Sequence, residues 1–425
     1  MERRPTTTIT LPYGFAHFGK SLFWYASEVL FAFFLTEVCR ITPWHMAIIL
    51  SASIAVNATA DTLVGSVLTR RMETLDGAVR LQTWGAVISG ISLIGFLSSG
   101  LAPAPIRFVY AVATLMLFRL AYAAYDVPQN VILALASRSP ADRNTLAAMR
   151  IFGSGIAGLV MSVVFVPLIA GKTTQVQALN TAVLAIGMTS CAVLTAFILR
   201  AKGRTVVLTG VSAASETAAK GKIGLPAVAL LAANLLFSSG TAFFTRLEPY
   251  FAAYGAQSRL AGATVMLVIA MGGLVAQPCF ALLARRYSTW RLLTTSTLIQ
   301  IAGCGAIYFT LLRSSPAAVT LASLGYGFGA GGAMMLSWVV LTDLVALSRI
   351  SAPRIFGLFT FASKLGLALS TLMLGLLLSR GDYHTQWQAN VPLISMMTFS
   401  PLVGALAYLL FAITYKPGER SRVRT

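Results

Sequence analysis

The chain has 425 residues, of which 57% are hydrophobic and only 11% charged, far below the roughly 25% charge of a soluble domain. Apolar stretches long enough to cross a bilayer, about 20 residues each, recur along the whole length. This excludes a soluble globular protein, and the short alternating segments of a β-barrel are not seen.

Twelve apolar segments follow in order: residues 11–38, 43–69, 82–101, 104–134, 144–171, 175–199, 223–253, 258–284, 292–312, 315–347, 355–379 and 390–414. The expected fold is an all-α polytopic membrane protein. Its twelve transmembrane helices form a six-helix half (1–200), a polar, basic linker "AKGRTVVLTGVSAASETAAKGK" (201–222) and a second six-helix half (223–425). The start, "MERRPTTTITLPYGFAHFGK", has no short apolar core with a cleavage site, so no cleaved signal peptide is expected.

The first segment carries Lys20 and Glu28 amid "LFWYA" and "VLFAFFL". Each buried charge costs roughly +3 kcal/mol on an insertion scale, so such residues should face a cavity or one another, or serve as structural ion pairs. Glu28 lies seven residues after Ser21, two helical turns on and near the same face; it is expected to face the cavity and needs a proton or a partner such as Arg150 or Arg119. Lys20, nearer the segment's start, can snorkel or pair. On the second segment, "SIAVNATADTLVG" places Asn57 and Asp61 at i, i+4 on one face. They suit Na⁺ ligation, proton carriage by Asp61 alone, or helix packing.

The fourth segment, "RLAYAAYDVPQNV", holds Arg119, Tyr122, Tyr125, Asp126, Gln129 and Asn130 beside Pro128. Rings, a carboxylate and amides make a candidate sugar- or polyol-binding face; aromatic packing is the plainer alternative. On the fifth, Arg150 is a counter-ion for Asp126 or Asp61, and Gly153, Gly155 and Gly158 favour close helix approach. The seventh carries Arg246 and Glu248. In the tenth, which also holds Asp343, "GYGFGAGGAMM" has dinucleotide-like glycines but no preceding strand, so it reads as helix packing. The eleventh has one charge, Lys364.

Even-numbered connections and the termini hold 21 of the 32 Lys and Arg residues, and the other connections hold 6. This alternation is the positive-inside pattern. Both termini are therefore expected in the cytoplasm, and the net charge of +19 calls for no nucleic-acid partner. Cys39, Cys191, Cys279 and Cys304 stand singly and the three histidines are scattered, which suits buried thiols and no metal site.

"LPYGFAHFGKS", "FFLTEV", the Asn57/Asp61 stretch, "YDVP", Arg150, "TDLVALS" and "FGLFTFASKLGLALS" together resemble the glycoside–pentoside–hexuronide:cation symporter family of the major facilitator superfamily, the melibiose-permease-like transporters. The resemblance implies a symporter using Na⁺, H⁺ or Li⁺. By position, Asp61 matches the second of two cation-site aspartates and Asp126 the sugar-binding aspartate. Arg150 matches a sugar-site arginine, Lys364 a lysine tied to the cation site, and Lys20 the lysine of "FGK". The chain departs from the family at Ser21 (usually aspartate), Ile54 (arginine), Asn57 (aspartate) and Asn130 (tryptophan).

The expected function is thus a secondary active transporter, cation- or proton-coupled, moving a small organic solute by alternating access. Substrate contacts are expected from Lys20, Ser21, Glu28, Tyr122, Asp126, Asn130 and Arg150, and coupling from Asn57, Asp61 and Lys364. The altered sugar site leaves a non-sugar solute, such as a siderophore or an amphiphile, as an alternative, with a non-transporting membrane sensor as a third reading. No acid pair, metal cluster or activated nucleophile suggests an enzyme. Expected partners are the substrate, a coupling cation (H⁺ or Na⁺, with no other cofactor) and the lipid bilayer. The chain is expected to be a monomer in a bacterial inner membrane.

Overall fold

The computed structural model describes residues 7–137, 140–169, 173–203, 224–256, 259–312, 316–347, 352–385, 387 and 391–415. Among the described residues, twelve helices are long and apolar enough to cross a membrane. They are α1 (Thr7–Tyr25), α2 (Pro43–Val67), α3 (Leu75–Leu97), α4 (Ala104–Ala136), α5 (Pro140–Ile169), α6 (Thr174–Gly203), α7 (Leu225–Tyr250), α8 (Arg259–Leu283), α9 (Thr289–Leu312), α10 (Pro316–Leu347), α11 (Ala352–Arg380) and α12 (Val391–Thr414). From residue 204 onward, the expected linker lies outside the described residues.

The helix ends follow local chemistry. Pro43 opens α2 after an extended Thr42, where its missing N–H costs nothing. The third span starts at Leu75, seven residues before the apolar run suggests, because the Thr74 hydroxyl accepts the N–H of Gly77 and caps it. The first span is not α-helical throughout. Beyond Tyr25 it continues as a π-helical turn (Ala26–Leu30), a short α stretch (Phe31–Phe33) and a second π turn (Phe34–Val38). The first π turn intervenes between Ser21 and Glu28, so the two-turn α-helical phase expected between them does not hold. The seventh span also ends in a π turn, Phe251–Gly255.

The chain forms two compact units. The first comprises Met1–Ala214 with Glu248–Ala263 and Leu378–Arg380; the second comprises Ser215–Leu247, Thr264–Leu377 and Gly381–Thr425. Ile9, Tyr13, Val79, Ile132, Leu146 and Leu199 build a core at one end of the first unit. Phe237, Phe280, Trp290, Tyr408 and Phe411 centre the core of the second. Large apolar side chains such as Ile91, Phe152, Leu194, Leu321 and Leu410 stay exposed along the helices, as a lipid-facing surface requires. The glycine-rich run of α10 serves packing, as expected: a Cβ on Gly331 would lie 2.7 Å from Gly273 Cα on α8.

Candidate functional site

The candidate site is built on α1, which sits unusually close to its neighbours. A Cβ on Gly19 would lie 2.8 Å from Ala192 Cα on α6, and one on Gly153 of α5 would lie 2.8 Å from the Gly14 carbonyl oxygen. Only glycine allows these approaches, and they fix the height and rotation of Lys20, the next residue. Lys20 turns inward, 7% exposed, and its Nζ meets Asp126 Oδ1 on α4 at 2.5 Å. Of the two expected behaviours it therefore pairs and does not snorkel. A buried lysine needs such a partner, because an isolated charge in hydrocarbon is unstable.

Arg150 and Asp61 also lie close enough to act electrostatically on Lys20. Lys20, Arg150, Asp61 and Asp126 thus carry two positive and two negative charges within one helical bundle. The cluster is neutral overall, and any cationic or anionic arrival disturbs it. Asp61 and Arg150 are partly exposed. Asn130, one turn past Asp126 on α4, is exposed.

Tyr122 is packed between Phe118 and Tyr125, with ring centroids 5.7 and 6.3 Å away. Its side chain is 2% exposed, yet among the described residues its hydroxyl has no hydrogen-bond partner. Asp126, Asp61 and Arg119 all act on it electrostatically. A buried phenol without a partner costs about 1–3 kcal/mol, and here it lies beside the charge cluster.

Ser21, where the family pattern has an acid, is engaged with α5. Its hydroxyl bonds Ser154 Oγ on α5 at 3.0 Å, and His17 Nε2 meets the same oxygen at 3.0 Å. His17 and Ser154 escaped the sequence reading, although His17 and Ser21 stand one turn apart.

A second polar cluster involves Glu28, which is buried at 8% exposure. The Ser27 hydroxyl lies 3.4 Å from Glu28 Oε1 and 2.8 Å from the Trp24 carbonyl, and it receives Arg119 Nη1 at 3.3 Å. Arg119 Nε also donates to Ser53 Oγ at 3.2 Å, and its guanidinium lies 5.7 Å from the Phe31 ring centroid. Arg119 is therefore buried and held by serines of the first two spans. Asn57 donates to the Arg119 carbonyl at 3.2 Å, a helix-packing bond that uses the amide N–H.

Two residues grouped with the sugar face prove to be packing residues. Gln129 accepts from Gln82 Nε2 at 2.5 Å and bonds Tyr13, and the Tyr125 hydroxyl donates toward the carbonyls of Ala16 and Ala192. Both are buried, and neighbouring backbone and amides satisfy them where a solute was expected to. Glu37, another buried acid, was missed: it lies in the second π turn and accepts a hydrogen bond from the Tyr254 hydroxyl. Lys364 belongs to the second unit and is partly buried on α11. Its neighbour Ser363 is held by Asn234 Nδ2 at 2.8 Å, and Asn234 in turn accepts from Tyr408 at 2.9 Å.

A family profile described as MFS/sugar transport protein matches residues 12–417. The chain belongs to this family. Within curated sequences, it is 27% identical over 159 residues to a protein named as a glycoside/cation symporter, YagG, of Escherichia coli (strain K12). That match covers 37% of this chain and 34% of the relative, about a third of the relative's length. Among solved structures, a D-xylose-proton symporter superimposes with a TM-score of 0.65 at 12% identity, covering 96% of both chains. A peptide transporter, POT, gives 0.66 at 12% identity over 96% of this chain and 94% of its own. These likenesses are in fold. Family and structural neighbours alike are transporters and not enzymes, and this chain is an integral membrane protein of the major facilitator fold.

Proposed function

We propose that the chain is a secondary active symporter that moves a glycoside or similar polyhydroxylated solute, driven by H⁺ or Na⁺, by alternating access. The observation that carries this reading is the buried Lys20–Asp126 pair, with Arg150 and Asp61 in electrostatic reach and the Tyr122 hydroxyl unpartnered beside it. Solute hydroxyls can both donate to Asp126 and accept from Arg150, Tyr122 or Lys20. Asn130 lines the same helix one turn on. Glu28 belongs with Arg119 and is not assigned to the solute.

Coupling follows from charge. A cation or proton on Asp61 changes the balance felt by Lys20 and so the affinity of Asp126 for a solute; that unequal affinity is what coupling requires. Lys364 is the counterpart proposed in the second unit. The bacterial inner membrane, cytoplasmic termini and a monomeric state are part of the proposal.

A non-sugar solute is the second reading. It is favoured by Ser21, which is engaged with Ser154, and by Asn130 where the family pattern has an aromatic ring. One experiment tests both: proteoliposome uptake of a panel of glycosides, siderophores and amphiphiles, with Na⁺ and H⁺ gradients imposed separately. Gradient-driven glycoside accumulation that Asp61→Asn abolishes, with exchange retained, supports the symporter reading. Accumulation in that variant equal to the wild type defeats the assignment of Asp61.

A further inference from the structure

We infer that Glu28 is a second protonatable centre of this transporter, sensed by Arg119 through the Ser27 hydroxyl and distinct from the Lys20–Asp126 pair. Its role in coupling rests on the symport reading; its location rests on its own geometry. Glu28 is buried on a π-helical turn within a membrane span, and such turns tend to mark functional sites. Arg119 is 2% exposed, anchored to Ser27 on the first span and Ser53 on the second, and flanked by Phe31 and Phe118. A guanidinium fixed by three elements reports a change of charge next to it.

Ser27 makes that report mechanical. Its hydroxyl has one hydrogen and two acceptors in reach, the Glu28 carboxylate and the Trp24 carbonyl. The Trp24 bond is the shorter, at 2.8 against 3.4 Å; an ionised Glu28 adds a charge-assisted pull on the same hydrogen, while Arg119 donates to the Ser27 lone pair. When a proton from the aqueous phase adds to a Glu28 oxygen, that oxygen ceases to be an anionic acceptor, and the Ser27 hydrogen rotates to Trp24. The Trp24 carbonyl lies in the last α turn before the π segment. Protonation therefore leaves the Ser27 hydroxyl on the Trp24 carbonyl alone and removes a negative charge beside the Arg119 anchor. No bond other than the O–H of Glu28 is made.

Other titratable groups stand on the same and the packed elements: Tyr13 and Tyr25 on the first span with Cys39 and Arg40 at its end, Asp76 and Arg80 at the start of α3, and Tyr110 on α4. His17 and Arg150 gather with Asp126 and Asp61 around Lys20. Tyr122 lies between the two clusters, influenced by Arg119, Asp126 and Asp61. Cys191 acts on Tyr125, and Glu37 is bonded by Tyr254. His45 and Arg107 belong to the first turns of α2 and α4, and Arg200 and Lys202 to the last turn of α6.

The test is an infrared titration of the full-length protein in phosphatidylethanolamine/phosphatidylglycerol vesicles, following the protonated-carboxyl C=O band over about pH 4–9, where buried carboxyls titrate. Subtracting the spectrum of Glu28→Gln from the wild type should isolate one titrating carboxyl. Ser27→Ala, which removes the hydroxyl in reach of that carboxylate, should change the frequency of the isolated band. A titrating band unchanged in Glu28→Gln overturns the inference. In a second arm, the same vesicles accumulate radiolabelled methyl β-D-glucoside under an imposed pH gradient. Glu28→Gln should lower accumulation about tenfold, the order of a typical coupling energy, while equilibrium exchange persists. Accumulation equal to wild type overturns the coupling role. If the wild type does not move the glucoside, glycoside symport fails for that probe, and the infrared titration still decides Glu28.

Discussion

Lys20 and Asp126 form an ion pair between the first and fourth membrane helices, with Nζ 2.5 Å from Oδ1 and Lys20 almost fully buried. Removing one member of such a pair leaves an uncompensated charge and typically costs about 3–5 kcal/mol. Lys20→Met and Asp126→Asn should each lower the thermal unfolding midpoint of the detergent-solubilised protein. The double variant should recover most of that loss, because neither charge is left alone, yet it should not transport. If the double variant is as unstable as the sum of the two single variants, the residues are not energetically paired.

Tyr122→Phe separates binding from stability. The hydroxyl is buried without a hydrogen bond, so deleting it should leave the unfolding midpoint unchanged or raise it by the equivalent of about 1 kcal/mol. The same deletion removes a donor and acceptor beside Asp126 and Arg119 and should weaken solute binding about tenfold, the worth of one hydrogen bond to a charged or well-placed group. Isothermal titration with the solute identified by the uptake panel measures this. Equal affinity for both proteins would remove Tyr122 from the solute's contacts.

The spans were legible because a bilayer demands about 20 apolar residues in a row, and the twelve helices fall close to the segments read from hydropathy. Buried charges were legible for the related reason that they are too costly to persist without a role, and Lys20, Asp126, Asp61 and Arg150 do gather. Which way a polar residue turns was not legible. Asp126 and Gln129 lie three residues apart on α4, yet one meets Lys20 and the other Gln82 and Tyr13, a choice made by neighbouring helices. The π turns at Ala26–Leu30 and Phe34–Val38 leave no mark in a residue pattern read with a period of 3.6. They hid the helical phase of Glu28 and the bond of Glu37 to Tyr254.

Gly153 should tolerate no side chain. The Cβ of a larger residue would stand 2.8 Å from the Gly14 carbonyl oxygen and 3.1 Å from Phe18 N. Both are backbone atoms of α1, so the helices must part. Gly153→Val should cost about 1–3 kcal/mol, as overpacking does, and should reduce transport as well, because α1 carries Lys20. Gly187 on α6 is the control: a Cβ there meets nothing within 4 Å, and Gly187→Ala should be neutral or stabilise by about 0.5–1 kcal/mol. Equal destabilisation by the two substitutions, measured by thermal unfolding, would show that helix proximity at Gly153 is not the cause.

Asp382, in the connection between α11 and α12, should make that turn acid-sensitive. The Thr385 hydroxyl donates to one carboxylate oxygen, and the backbone N–H groups of His384 and Thr385 donate to the other at 3.0 and 3.3 Å. These bonds, the Thr385 hydroxyl foremost, hold the carboxyl below its usual range. The folded turn therefore prefers the ionised form. Its contribution to the turn is present above the ordinary carboxylate pKa of about 4 and is lost as pH falls through the lower folded value. His384, whose Nδ1 is 3.8 Å from the carboxylate, adds attraction only when protonated. Amide exchange at Thr385, corrected for its intrinsic pH dependence, should lose protection on acidification in the wild type. In Asp382→Asn, which has no charge to lose, protection should be lower at neutral pH and flat through the acid range; an acid loss that persists in that variant would place the sensitivity elsewhere.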